Sequence, residues 1–241
     1  DDASRAPEPS DVIRVDAASP DFAAVQRWLP QQPAVCYLCS VHRWAAEQTL
    51  NWLRGQVEVL AVHVLHHTDF PLCVRVPLPE HVGHDRLATA VAAARLKSAQ
   101  RSAVVVDAGS AITVDAISRQ GDFLGGAILP GLQVAAQALS AGTDLLPRVS
   151  TAQWGSAPPV VGDSTEAAIH SGVYWGAVGA IRELIRRMRA QLGDDAEVFL
   201  TGGDMRQIAE DAFPEACYRP HLALTGIVLA ARQRQSAAPP A

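Results

Sequence analysis

A chain of 241 residues with a formal net charge of -5 and only 19% charged residues has no general electrostatic pull toward nucleic acid or an anionic membrane. Aromatic residues are scarce at 5%, and no basic run interleaves with them, which excludes a stacking platform for bases. No apolar stretch reaches the ~20 residues of a membrane span and no signal-peptide-like leader opens the sequence, so the expectation is a cytoplasmic protein without a nucleic-acid or membrane partner, with one large domain or two.

The first ten residues read as a loose polar lead-in, and Asp11–Val15 as a short edge strand. Asp21–Trp28 predicts a short helix, ended by Pro30 and Pro33. Ala34–Val41 predicts a buried strand, His42–Gly55 a helix with apolar residues at helical spacing and Gly55 as its stop, and Val57–Leu65 a second buried strand. Strand, helix, strand is the signature of a partly parallel sheet covered by helices. Cys36 and Cys39 have metal-ligand spacing but no second such pair, and they fall in the apolar run, so they read as core cysteines. The histidines at 63, 66, 67, 81 and 84 show no regular ligand spacing.

Pro71, Pro77 and Pro79 forbid a helix between His66 and His84. Gly83-His84-Asp85-Arg86 then opens an alanine-rich helix, Leu87 to about Ala99. Asp85 sits where the helix dipole favours an anion, which is a complete structural account of it. The functional account is a carboxylate and a guanidinium, side by side at the mouth of a helix, facing a ligand with both a hydroxyl and a carboxylate.

Next comes the stretch most suggestive of chemistry. Ala103–Val106 is a wholly apolar run that reads as a buried strand, and Asp107-Ala-Gly-Ser-Ala-Ile-Thr-Val-Asp115 turns out of it into an alternating strand. A polar break at 119–122 leads to a third strand, Phe123–Leu129, which completes a β-meander. Gly109 lets backbone N–H groups approach an anion, Ser110 adds a donor, and Asp107 can hold a cation or its water shell. An ordinary tight hairpin uses the same residue types.

Leu132–Ser140 predicts a helix, Ala141–Pro159 an irregular surface loop, and Thr165–Leu192 a long helix capped by Asp163 or Ser164. Gly172, Gly176 and Gly179 inside it suggest close packing against another helix, within the chain or across a subunit interface. Ala196–Leu200 is a buried strand running into Thr201-Gly202-Gly203 and a short helix over Asp204–Asp211. Strand, glycine pair and helix start suit a nucleotide pressed against backbone, and equally a tight turn needing small residues. His221–Gln235 closes the fold as a helix with Leu222, Leu224, Ile227, Val228 and Leu229 inward, before a polar, proline-containing tail.

Val82-Gly-His-Asp-Arg86, Asp107–Asp115, Gly125-Gly-Ala-Ile-Leu-Pro-Gly131, Gly162-Asp-Ser-Thr165 and Thr201-Gly-Gly203 occur together and in order. The set resembles the type III pantothenate kinase family over about Ser40 to Ala230. The resemblance implies an α/β fold of two ribonuclease-H-like halves, as in acetate kinase, sugar kinases and actin, here divided as 1–100 and 101–241 with a cleft between. It implies ATP-dependent phosphorylation of pantothenate, the first step of coenzyme A synthesis, by a homodimer using Mg²⁺ and a monovalent cation such as K⁺ or NH₄⁺. By motif, Asp85 becomes the general base, with Gly83, His84 and Arg86 lining the substrate site. Thr165 contacts pantothenate across the dimer interface. Asp107 holds the monovalent cation, while Gly109, Ser110, Thr201, Gly202 and Gly203 bind ATP.

Four departures accompany the resemblance. The family's opening Asp-x-Gly-Asn-Thr phosphate loop has no match here, Ser110 stands where Thr is usual, and His84 replaces a small residue, with Val76 where a substrate-contacting Tyr is usual. Without the first loop two expectations stand: a kinase whose opening hairpin lies outside this sequence, or a weakened relative that binds or regulates. A kinase of the same superfamily acting on another small molecule is a third.

Overall fold

Asp21 starts the first helix, α1 (Phe22–Trp28), by accepting the Ala24 N–H at 2.9 Å. In this computed structural model, which describes residues 7–151, 154, 157–205 and 213–237, β1 (Ala34–Leu38) and β2 (Val59–Val64) then pair in parallel around α2 (Arg43–Arg54). His42 caps α2 through Nδ1, and Gly55 ends it. Two single 3-10 turns precede α3 (His84–Leu96). The meander follows as β3 (Ala103–Ala108), β4 (Ala111–Ile117) and β5 (Phe123–Pro130). The remaining elements are α4 (Leu132–Ala141), α5 (Thr165–Leu192), β6 (Glu197–Thr201), β7 (Cys217–Tyr218) and α6 (Leu222–Ala237). The lead-in before residue 7, most of the helix expected over Asp204–Asp211 and the end of the tail lie outside the described residues. No helix among those described is long and apolar enough to cross a membrane.

The chain divides into two units. Unit 1 comprises Asp1–Leu72, Pro77–Ala92 and Ala223–Ala241; unit 2 comprises Cys73–Val76 and Ala93–Leu222.

Unit 2 holds a five-stranded sheet in the order β5-β4-β3-β6-β7. β3, β4 and β5 pair antiparallel, whereas β6 runs parallel to β3 and β7 parallel to β6. Val104, Val106, Ile112 and Val114 join Leu132 of α4 and Tyr174, Val178 and Ile181 of α5 in one core. Burying a side chain such as Ile181, fully enclosed here, stabilises the fold by roughly 1.5–3 kcal/mol. The segment between α4 and α5 is strapped to α5: Ser171 Oγ donates to the Val160 carbonyl at 2.7 Å and Trp175 Nε1 to that of Pro158 at 3.1 Å.

Unit 1 departs from the sequence expectation. β1 and β2 form as predicted, but no residue of either is buried, and Val35 and Leu60 are 43% and 68% exposed. A parallel pair is ordinarily covered on both faces, and among the described residues this sheet has no third strand. Asp11–Val15 is not a strand; the Asp11 carboxylate accepts the Trp28 Nε1–H at 2.8 Å instead.

The buried face of α6 is also displaced from the predicted one. Leu222, Thr225 and Ala230 are buried while Leu224 and Val228 are 38% and 39% exposed. A Cβ on Gly226 would overlap the carbonyl of Ala88 in α3, so this seam is made by small residues at backbone contact rather than by leucines. In α5, by contrast, a Cβ at Gly172, Gly176 or Gly179 would meet nothing within 4 Å, so these glycines do not mark packing against another helix among the described residues.

Asp194 ties the end of α5 to the start of β3. It accepts the Ser102 N–H at 3.1 Å, the Ser102 hydroxyl at 2.9 Å and Arg119 Nη2 at 3.3 Å. Burial pushes this carboxyl's pKa up, but the bonds from Ser102 and Arg119 outweigh it and hold it below the usual value.

Gly226→Val should lower stability by more than about 2 kcal/mol, whereas Gly179→Ala should raise it by about 1 kcal/mol; urea unfolding midpoints measure both. The stability contributed by Asp194 is present above the ordinary carboxylate range and lost as pH falls through its depressed pKa. Asp194→Asn should therefore be less stable than the parent at neutral pH and converge with it in acid.

Candidate functional site

β3 and β6 are adjacent parallel strands, so their carboxyl ends reach the same edge of the sheet. Register places Asp107 opposite Thr201 on one side and Thr113 on the other. The turn after β3, Asp107 to Ser110, therefore lies beside Thr201-Gly202-Gly203. Gly202 has φ 98°, and a Cβ there would overlap the backbone of Ala108 and come 2.5 Å from Asp107 Oδ1. The Asp204 N–H locks the two turns together by donating to the Ala108 carbonyl at 3.0 Å. Gly109 is the opposite case, with nothing within 4 Å of an added Cβ, so its outer side is open. Ser110 is exposed, Asp107 half-buried and Thr201 buried.

Such an edge can accept a polyphosphate against exposed backbone and a serine hydroxyl. Asp107 suits a hard cation at its carboxylate. Among the described residues no group of three or more His, Cys, Asp or Glu is placed to hold a metal. Asp204 was not singled out from the sequence; the acid directly after Thr-Gly-Gly was the available signal. Burial pushes its carboxyl pKa up.

Thr165 is the first residue of α5, behind the N-cap Ser164, whose hydroxyl accepts the Ala167 N–H at 3.2 Å. It lines an apolar groove of about 790 Å³ with Ile112, Leu129, Leu132, Gly172 and Gly176.

The other predicted residues belong to unit 1. Gly83 precedes α3 and its carbonyl accepts the Leu87 N–H at 3.2 Å. The Asp85 carboxylate folds back to accept the Arg86 N–H at 2.8 Å, and a Cβ on Gly83 would crowd that carboxylate at 2.5 Å. Asp85 is exposed; His84 and Arg86 are half-buried. The His84 ring lies between His66, perpendicular at 6.4 Å, and Phe70 at 6.3 Å. Burial lowers the His84 pKa, and His66 and His67 lower it further, against Asp85 and a hydrogen bond to the Ser40 backbone. Burial and the charge of Asp85 push the Cys39 thiol up to about 12. Thus Gly83 to Arg86 are together in unit 1, and Asp107 to Ser110 with Thr201 to Gly203 are together in unit 2.

A profile of the type III pantothenate kinase family matches residues 15–187. A protein of Dehalococcoides mccartyi strain CBDB1 named type III pantothenate kinase is 39% identical over 154 residues, which is 64% of this chain and 57% of the relative. One of that name from another strain of the species, ATCC BAA-2266, is 36% identical over 163 residues, 68% of this chain and 61% of the relative. A third, from Rhodopirellula baltica, is 39% identical over 201 residues, 78% of this chain and 70% of the relative. The chain thus spans about three fifths of the length of the two Dehalococcoides relatives.

The two turn glycines should respond oppositely to a methyl group. Gly202→Ala forces a strained φ and a backbone overlap and should cost more than about 2 kcal/mol in urea unfolding. Gly109→Ala should change stability by no more than about 1 kcal/mol.

Proposed function

The chain belongs to the type III pantothenate kinase family, and we propose on that footing that it transfers the γ-phosphoryl group of ATP to the hydroxyl of pantothenate in the cytoplasm, giving 4'-phosphopantothenate. The observation that carries this reading is the meeting of the Asp107–Ser110 turn with Thr201-Gly202-Gly203 at the ends of neighbouring strands. In it, Gly109, Ser110, Thr201, Gly202 and Gly203 hold ATP. Asp107 would hold a monovalent cation, which with Mg²⁺ bound alongside ATP would supply charge neutralisation for the transferring group.

Asp85 receives the proton of the pantothenate hydroxyl as its oxygen bonds to the γ-phosphorus and the bond to ADP breaks. Its exposure at the start of α3 supports the role, because a general base has to reach the substrate. Gly83, His84 and Arg86 line the substrate site around it.

The reading includes two ribonuclease-H-like halves dividing near residue 100. Unit 2 supports it with a meander followed by two parallel strands, and unit 1 with the parallel pair β1 and β2 around α2. The reading includes as well a homodimer in which Thr165 reaches the substrate site of a second copy. The apolar groove beside Thr165, left open by Gly172 and Gly176, supports that face as the contact.

A coupled assay of ADP release with ATP, Mg²⁺, K⁺ and pantothenate, with the product identified by mass, tests the proposal. With the first phosphate loop present, 4'-phosphopantothenate should form, and Asp85→Asn should lower kcat by about 10²-fold or more with an unchanged circular-dichroism melt. These 241 residues alone should turn over far more slowly. No product from the loop-bearing chain, or equal turnover in Asp85→Asn, overturns the reading.

A further inference from the structure

We propose that His66 and His67, together with His84, form the part of the substrate site that receives the carboxylate of the hydroxy acid whose hydroxyl meets Asp85; this rests on the kinase reading above. The substrate is ionised at one end and reacts at the other. Its carboxylate is repelled by Asp85, so donors and positive charge have to hold it away from that residue.

Arg234, one cationic side chain of this part of unit 1, is bonded to Asp69 at 2.9 Å. The imidazoles are arranged around one another. His84 donates to the Ser40 backbone and is backed by the buried ring of Phe70, with His66 standing perpendicular to it at 6.4 Å. His66 is exposed, and its turn is fixed from below: its N–H donates to Asp69 Oδ2 at 2.8 Å, while Asp69 Oδ1 is pinned by Arg234. An exposed ring on a pinned turn is a pre-organised anion contact. Among the described residues these histidines do not form a metal-binding group.

The rings also act on one another electrostatically, since charge on His66 and His67 opposes protonation of His84. A bound carboxylate favours the protonated form of an imidazole. The other titratable and charged groups around the cluster are Cys39, whose thiol is pushed up to about 12, the Asp69–Arg234 pair, and Asp85 and Arg86 on α3.

Titration calorimetry of the full chain with pantothenate and with pantothenol, in which a hydroxymethyl group replaces the carboxylate, tests this between about pH 8 and about pH 6. Pantothenate should bind severalfold more tightly toward the acid end, and pantothenol should not. His66→Asn/His67→Asn should lose both the preference for pantothenate and its pH dependence, while keeping pantothenol binding and the parent's thermal melt. A double variant that still prefers pantothenate, or a parent that binds both ligands equally, overturns the proposal and leaves the kinase reading standing. A parent that binds neither ligand overturns both.

Discussion

The parallel pairing of β3 with β6 is the constraint from which the candidate nucleotide edge follows. Because the strands point the same way, both turns that leave their carboxyl ends emerge at one edge, and register sets Asp107 directly across from Thr201. Open α/β sheets place ligands at the carboxyl ends of strands for this reason. The pairing needs a long crossover, and α5 is part of it, held to the sheet by Tyr174, Val178 and Ile181. Packing in the middle of α5 thereby positions a turn that α5 need not touch.

Unit 1 relies on a different device. Its sheet buries none of its own residues, so little of its stability comes from β1 and β2. The buried surface lies instead along α3, where Leu87, Ala88, Ala90 and Ala92 are fully enclosed, and Gly226 of α6 meets the Ala88 backbone. Alanine and glycine let backbones approach closely, so dispersion contacts and exclusion of water are gained without large side chains. Asp85 thus stands at the head of the best-buried helix of its unit, a rigid base for an exposed carboxylate.

Much of this was legible in the residues. The limits of α5 match the periodic stretch Thr165–Leu192, because a long apolar repeat bounded by an N-cap and Gly193 admits no other reading. The meander was legible from β-branched runs separated by polar turns. What escaped depends on partners rather than on local pattern. Apolar runs announce strands at 34–38 and 59–64, but burial needs neighbouring strands that sequence pattern does not supply. The inward face of α6 was misjudged because periodicity weights leucine and valine, whereas the contact with α3 is made at Gly226. His66 and His84 lie 18 positions apart on different elements, and no spacing rule connects them.

Charge at the nucleotide edge shows how the fold reconciles acids with a polyanion. Two carboxyl groups belong to this edge, Asp107 and Asp204, and a phosphate chain would be repelled by both if both were ionised and bare. Burial pushes the Asp204 pKa up, so its ionised form is the less favoured of the two states relative to water. Under the proposed reading a cation at Asp107 would turn repulsion of phosphate into attraction. The Asp204 backbone N–H, not its side chain, does the structural work by bonding to the Ala108 carbonyl. An acid at position 204 is tolerated beside Thr-Gly-Gly because its backbone, not its side chain, engages the turn.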